Sequence, residues 1–124
     1  MKLLFMILLL HLFADYTLQG ILADLKQKGW WKKQCEKYGV DFHKYRYDYI
    51  CGIICHSLYW TLVTFAPLIF FKDMSDVHIA VIVIGNTAFH AIVDHIKANK
   101  FSINLIVDQA LHLVQIAATV IILQ

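Results

Sequence analysis

Four stretches of this chain, Leu3–Gln19, Tyr49–Phe71, Val77–Ile96 and Leu105–Leu123, are each apolar over nearly the length of a bilayer-spanning helix. Such a helix takes about 20 mostly apolar residues. Inside lipid every backbone N–H and C=O must find its partner without water, which leaves helices as the solution for segments like these. Charged residues make up only 16% of the 124, against roughly a quarter in an ordinary soluble domain. The expected fold is therefore all-α: one transmembrane domain over residues 1–124, built as a four-helix bundle, with residues 20–48 as an interfacial loop. A single proline and five glycines leave no linker or second domain to place. Lys2 followed by LLFMILLL has the charge and apolar run of a secretory leader; it is read here as the first helix.

Each apolar stretch also carries polar residues at helical spacing. Residues three, four, seven or eight apart share a helix face. The first stretch has His11, Asp15 and Gln19. The second has His56, Tyr59 and Thr64, with Gly52 a turn before and Trp60 and Val63 interrupting. The third has Asn86, His90, Asp94 and Lys97, and the fourth has Asp108, His112 and Gln115. A charge in the bilayer costs about 2.5 to 3.5 kcal/mol even on insertion scales, so the three aspartates should face the bundle interior. With about 1.5 Å of rise per residue, His11, His56, His90 and His112 all fall about 10 to 13 Å in from the inner helix ends. The aspartates come nearer the surface.

Cytoplasmic loops carry an excess of Lys and Arg. Nine of the eleven basic residues fall on the side of the first loop and the third-to-fourth turn, and only Lys2 and Lys72 on the other. Both termini should then lie outside and the long basic, aromatic first loop in the cytoplasm. Trp30, Trp31, Lys32 and Lys33 suit the membrane interface, where rings prefer headgroup depth and each basic side chain gains about 1 kcal/mol near anionic lipids. An anchor lying on the lipid and a lid over the cytoplasmic mouth are both compatible with that loop. Nucleic acid is not an expected partner, because Asp24, Glu36, Asp41 and Asp48 dilute the positive charge.

Imidazole and carboxylate together suit a divalent metal, with Zn, Mn or Fe favoured. The expected ligands are His11, Asp15, His56, His90, Asp94, Asp108 and His112; Gln19, Tyr59, Asn86, Gln109 and Gln115 would orient them through hydrogen bonds. Seven ligands exceed one closed site, so either some only orient others or two metals lie about 3.5 to 4 Å apart. Three aspartates and Lys97 sum to a charge that one divalent ion would neutralise. Asp15, Asp94, Lys97 and Asp108 are the expected catalytic groups, with Lys97 set to neutralise a phosphate or carboxylate. Haem between two histidines is disfavoured by the carboxylates around it. The cysteines form no C-x-x-C pair; Cys51 and Cys55 are read as reduced, apolar packing residues. His43, His78 and His95 are read as solvated or at the headgroups.

The ordered elements HLFADYTLQ, the central HSLY that begins at His56, HAIVDHIK and DQALHL resemble the small bacterial and phage membrane proteins grouped as domain-of-unknown-function family 3307. The likeness spans essentially the whole sequence and carries His11, Ala14, Asp15, Gln19, His90, Asp94, Lys97, Asp108, Gln109 and His112. Here the first loop is unusually long and lysine-rich. The resemblance implies a bacterial or phage origin and a multi-pass protein of the bacterial inner membrane, with no activity attached. On the residues themselves the leading expectation is metal-dependent hydrolysis of a membrane-proximal, phosphate-bearing substrate. The alternatives are a transporter or channel component for protons or metal ions, and a non-catalytic module that docks as a homo-oligomer or on another membrane protein.

Overall fold

The computed structural model describes residues 2–123. Helix α1, Lys2–Phe13, runs directly into a π-helical turn, Ala14–Leu18. Gly20 ends this rod in the left-handed region at φ +48°, a conformation in which glycine has no Cβ to clash. Residues 20–48 form no extended loop. They fold into α2, Leu22–Leu25, α3, Lys28–Tyr38, and α4, Phe42–Tyr45. Gly39, at φ +65°, closes α3 in the left-handed conformation usual after a helix, and the Asp41 carboxylate accepts from His43 N–H to start α4.

The remaining residues form three long helices: α5, Asp48–Phe71, α6, Asp76–His95, and α7, Leu105–Ile122. A second π-helical turn, Ile96–Lys100, extends α6. Ser75 and Asn104 cap α6 and α7, each with its side-chain oxygen accepting a backbone N–H three residues on, which satisfies a donor the helix itself cannot. Three helical stretches, Phe42–Phe71, Asp76–Lys100 and Leu105–Ile122, are long and apolar enough to cross a membrane. The first rod, 12 α-helical and 5 π-helical residues, sits at the short limit of about 17 to 25 residues.

The rods pack in sequence order, α1 on α5, α5 on α6 and α6 on α7, and α7 returns to touch α1. Leu3, Ile69, Met74 and Leu123 pack on one apolar cluster, so the start of α1 and the residue after α7 meet the α5–α6 turn at one end of the bundle. Ile7, Phe65, Leu68, Ile82, Ile116 and Val120 form the core of that end. The outward faces carry exposed Phe5, Leu9, Ile54, Leu62, Ile84 and Ile121, surfaces compatible with lipid.

The opposite end is covered by α2 and α3, which both pack against α5. Gly52 permits the approach: a Cβ there would lie 2.3 Å from Leu25 O. Trp31 Nε1–H donates to the same carbonyl at 2.8 Å. Trp30 and Trp31, half-buried, meet edge to face at 5.2 Å, while Lys32 and Lys33 stay exposed. Cys51 and Cys55 are not buried packing residues: both thiols are free and exposed on the outside of α5, and the buried cysteine is Cys35.

Candidate metal centre

The predicted polar faces converge between the rods. His11, Asp15, His56, His90, Asp94, Asp108 and His112 are all buried, none more than 8% exposed. The four imidazoles form a continuous row. His90 and His112 stack with centroids 4.1 Å apart, His56 lies 5.3 Å from His90, and His11 lies 6.0 Å from His112. Helical periodicity put these rings at one depth, and tertiary packing brings them into contact.

Six of the seven fall into three overlapping groups whose ligand atoms lie within 4.8 Å of one another: Asp15, His56 and His90; His90, Asp94 and His112; Asp15, Asp108 and His112. Such buried His and Asp groups could hold a metal ion. His11 stands apart from all three among the described residues. Its Nδ1 accepts a hydrogen bond from Trp60 Nε1–H at 3.1 Å, and among the described residues the histidine that Asp15 meets within 4.0 Å is His56, not the expected His11. Asp15 sits in the π-helical turn, whose i→i+5 bonding interrupts the α-helical register. It comes within 4.0 Å of His56 Nε2 and accepts from Gln109 Nε2 at 2.6 Å. The other two pairs hold: His90 Nε2 is 3.6 Å from Asp94 Oδ2, and His112 Nε2 is 3.5 Å from Asp108 Oδ1.

The two halves of the cluster differ in what neutralises them. Around Asp94, Lys26 Nζ donates to Oδ2 at 2.9 Å and also reaches His56 Nε2 at 3.3 Å, while His56 Nε2 itself is 3.1 Å from that oxygen. Around Asp108, Lys97 Nζ donates to Oδ2 at 2.5 Å, and Gln109 Nε2 adds a bond at 3.2 Å. Asp108 Oδ1 and His112 Nε2 face each other at 3.5 Å but make no hydrogen bond, and His112 Nδ1 is also buried without one; in the other half the same holds of His56 Nδ1 and His90 Nδ1. Orphaned polar atoms of this kind are expensive in an apolar interior, and at Asp108 and His112 two of them sit beside one another.

Several expected orienting residues lie elsewhere. Asn86 and Gln115 bond to each other instead of to the imidazoles: Gln115 Nε2 donates to Asn86 Oδ1 at 2.9 Å, and Thr119 Oγ1 donates to the same oxygen at 3.0 Å. They form a separate network on α6 and α7. Tyr59 is half-exposed, because the buried face of α5 runs through Gly52, His56, Trp60 and Thr64, placing Tyr59 on its flank. Gln19 is half-exposed too; its carbonyl accepts from Leu22 N–H at the corner into α2. Of the expected set, Gln109 alone bonds to the cluster's carboxylates among the described residues. His95 stacks on Tyr49 at 5.9 Å, and His78 bonds to Ser75.

Two residues of the site escaped the periodicity. Trp60, read as an interruption, is fully buried, donates to His11 and stacks on His90 at 4.1 Å. Lys26 is one of six lysines in a loop where nothing in the spacing marks it. Its short-range signal is Gly52, which sits on the α5 face and is explained by the approach of Leu25 and Lys26.

Comparison with family models, curated proteins and solved structures finds no match to this sequence.

Proposed function

We propose that this chain is a four-span protein of the bacterial inner membrane, akin to domain-of-unknown-function family 3307, in which a divalent metal held by Asp15, Asp108 and His112 supports hydrolysis of a phosphate-bearing substrate at the membrane surface. In this reading the termini lie outside and the α2–α4 segment faces the cytoplasm, as the nine-to-two distribution of basic residues favours. The single observation that carries the metal is the buried group of Asp15, Asp108 and His112, in which Asp108 Oδ1 and His112 Nε2 face each other at 3.5 Å without a hydrogen bond. Zn or Mn suits a mixed imidazole and carboxylate set, and would lower the pKa of a bound water toward about 7.

Each residue then has a task. Asp15, Asp108 and His112 bind the ion. Gln109 orients both carboxylates, through bonds of 2.6 Å to Asp15 and 3.2 Å to Asp108. Lys97, partly exposed at its pair with Asp108, is the cation nearest an incoming phosphate. A cavity of about 630 Å³ beside the cluster's cover is lined by Lys28, Lys32, Lys33, Trp30, Phe42 and Asn99; its charge and rings suit a phosphate headgroup at the interface.

Transport of ions fits less well. Beyond the histidine row lie Thr61, Thr64 and the Asn86–Gln115–Thr119 network, and then the apolar core of Ile7, Phe65, Leu68, Ile82 and Ile116. The cavity of about 310 Å³ between α6 and α7 that borders Asn86, Gln115 and Thr119 is otherwise lined by apolar residues such as Val81, Phe89 and Ile122, so no further polar group among the described residues continues the file.

The test is release of inorganic phosphate by metal-loaded protein in nanodiscs, with a lipid phosphomonoester and a soluble phosphomonoester as separate arms. Water adds to phosphorus, the bond to the ester oxygen breaks and the alcohol leaves with a proton. Turnover abolished by chelator and by Asp108→Asn is expected; release no faster than that of the Asp108→Asn protein in both arms would overturn the reading.

A further inference from the structure

The Leu25–Lys26 backbone is tied down from three sides. The notch at Gly52 receives Leu25 O, Trp31 Nε1–H bonds that oxygen at 2.8 Å, and Asn99 spans the next link. Asn99 Nδ2 donates to Lys26 O at 3.0 Å, and its Oδ1 accepts from Lys28 N–H at 2.7 Å. These contacts come from α5, α3 and the turn after α6, and together they fix the position of one lysine. The Lys26 stem enters the bundle, 12% exposed, and its ammonium lies against Asp94 Oδ2 and His56 Nε2.

Those two atoms and His90 Nε2 converge on a single point: His56 Nε2 lies 3.1 Å from Asp94 Oδ2 and 3.3 Å from His90 Nε2, and His90 Nε2 lies 3.6 Å from Asp94 Oδ2. Deprotonated at those nitrogens, the two imidazoles and the carboxylate are a ligand set for a divalent ion. The second half of the cluster has its own lysine, Lys97, on Asp108 Oδ2 at 2.5 Å, but that ammonium is partly exposed and makes no bond to Asp108 Oδ1 or to His112. The pocket thus has two cation positions, and at Lys26 the ammonium lies against both a carboxylate and an imidazole.

We propose that Lys26 is a tethered cation standing where the second ion of a dinuclear centre would sit, so that His56, Asp94 and His90 form a latent metal site that the α2–α3 segment keeps closed. This reverses the expectation that all seven residues serve metal ions: one half is reserved for the lysine. An ion ligated at about 2.0 to 2.2 Å by His56 and Asp94 could not coexist with an ammonium 2.9 to 3.3 Å from the same atoms. That the other half holds an ion rests on the function proposed above; the claim for Lys26 does not.

Titration of the detergent-purified full-length protein with Zn²⁺, read as equivalents bound, tests this. Lys26→Met keeps the length of the stem and removes the charge, and should bind one equivalent more than the parent. Gly52→Ala forces the Leu25–Lys26 backbone off α5 without altering any ligand, and should give the same increment if Lys26→Met is not monodisperse. Adding Asp94→Asn to Lys26→Met should abolish the increment. A rise from one to two supports both proposals; a rise from zero to one supports the lysine and removes the metal from the parent's function. Equal stoichiometry in the parent and Lys26→Met overturns the lysine proposal, and zero in both overturns the metal reading as well.

Discussion

Lys26 and Asp94, 68 residues apart in sequence, meet at 2.9 Å in an interior where the aspartate is 2% exposed. The ion pair joins the segment that covers one end of the bundle to the helix that carries half the cluster. Removing one member of a buried pair leaves an uncompensated charge, at about 3 to 5 kcal/mol. Asp94→Ala and Lys26→Met should therefore each lower the thermal stability of the detergent-solubilised protein, and the double substitution should cost clearly less than the two single losses together. Losses that simply add would contradict this account of the pair.

Trp60→Phe removes one hydrogen bond together with part of a fully buried ring. It keeps an aromatic ring against His90 and removes the Nε1–H that His11 Nδ1 accepts. Leaving that buried acceptor unpaired should destabilise by about 1 to 3 kcal/mol. That part of the loss should disappear when His11→Phe is already present, leaving only the packing cost, a difference that a double-mutant cycle of thermal unfolding measures.

Asn99→Ala should loosen the cover without touching the cluster. Asn99 is bonded to the backbone on both sides of Gln27, so trypsin cleavage after Lys26 and Lys28 should accelerate at least several-fold. An unchanged cleavage rate would mean that the Gly52 contact alone holds the segment.

The Asn86 network offers a matching control. Asn86→Ala removes the acceptor for Gln115 and Thr119, and interhelical bonds of this kind in membranes are worth about 0.6 to 2 kcal/mol. Stability should fall by that amount, while metal affinity should stay within about twofold because Asn86 touches none of the ligands.

The histidine row and the burial of the aspartates were legible because 3.6 residues per turn maps sequence spacing directly onto a helix face, and because charge excludes three carboxylates from lipid. The ends of the second, third and fourth rods agree with the apolar stretches to within a few residues for the same reason. Three features carried no such signal. The π-helical turns at Ala14–Leu18 and Ile96–Lys100 leave no trace in the spacing, and Asp15, inside the first of them, meets His56 on α5. Trp60 reads as apolar in any hydrophobic pattern, although its Nε1–H gives it a polar task. Lys26 lies in a segment where lysines have no period, and its selection over Lys28 or Lys32 depends on a backbone approach that only the glycine at position 52 hints at.

X-ray absorption at the metal edge, on protein purified with the metal it retains, tests the centre most directly. One ion per protein molecule is expected, with a nitrogen and oxygen shell at about 2.0 to 2.2 Å, imidazole scattering from His112, and loss of the ion in Asp108→Ala and His112→Ala. No stoichiometric metal, or a sulfur shell at about 2.3 Å pointing to Cys51 and Cys55, would contradict it.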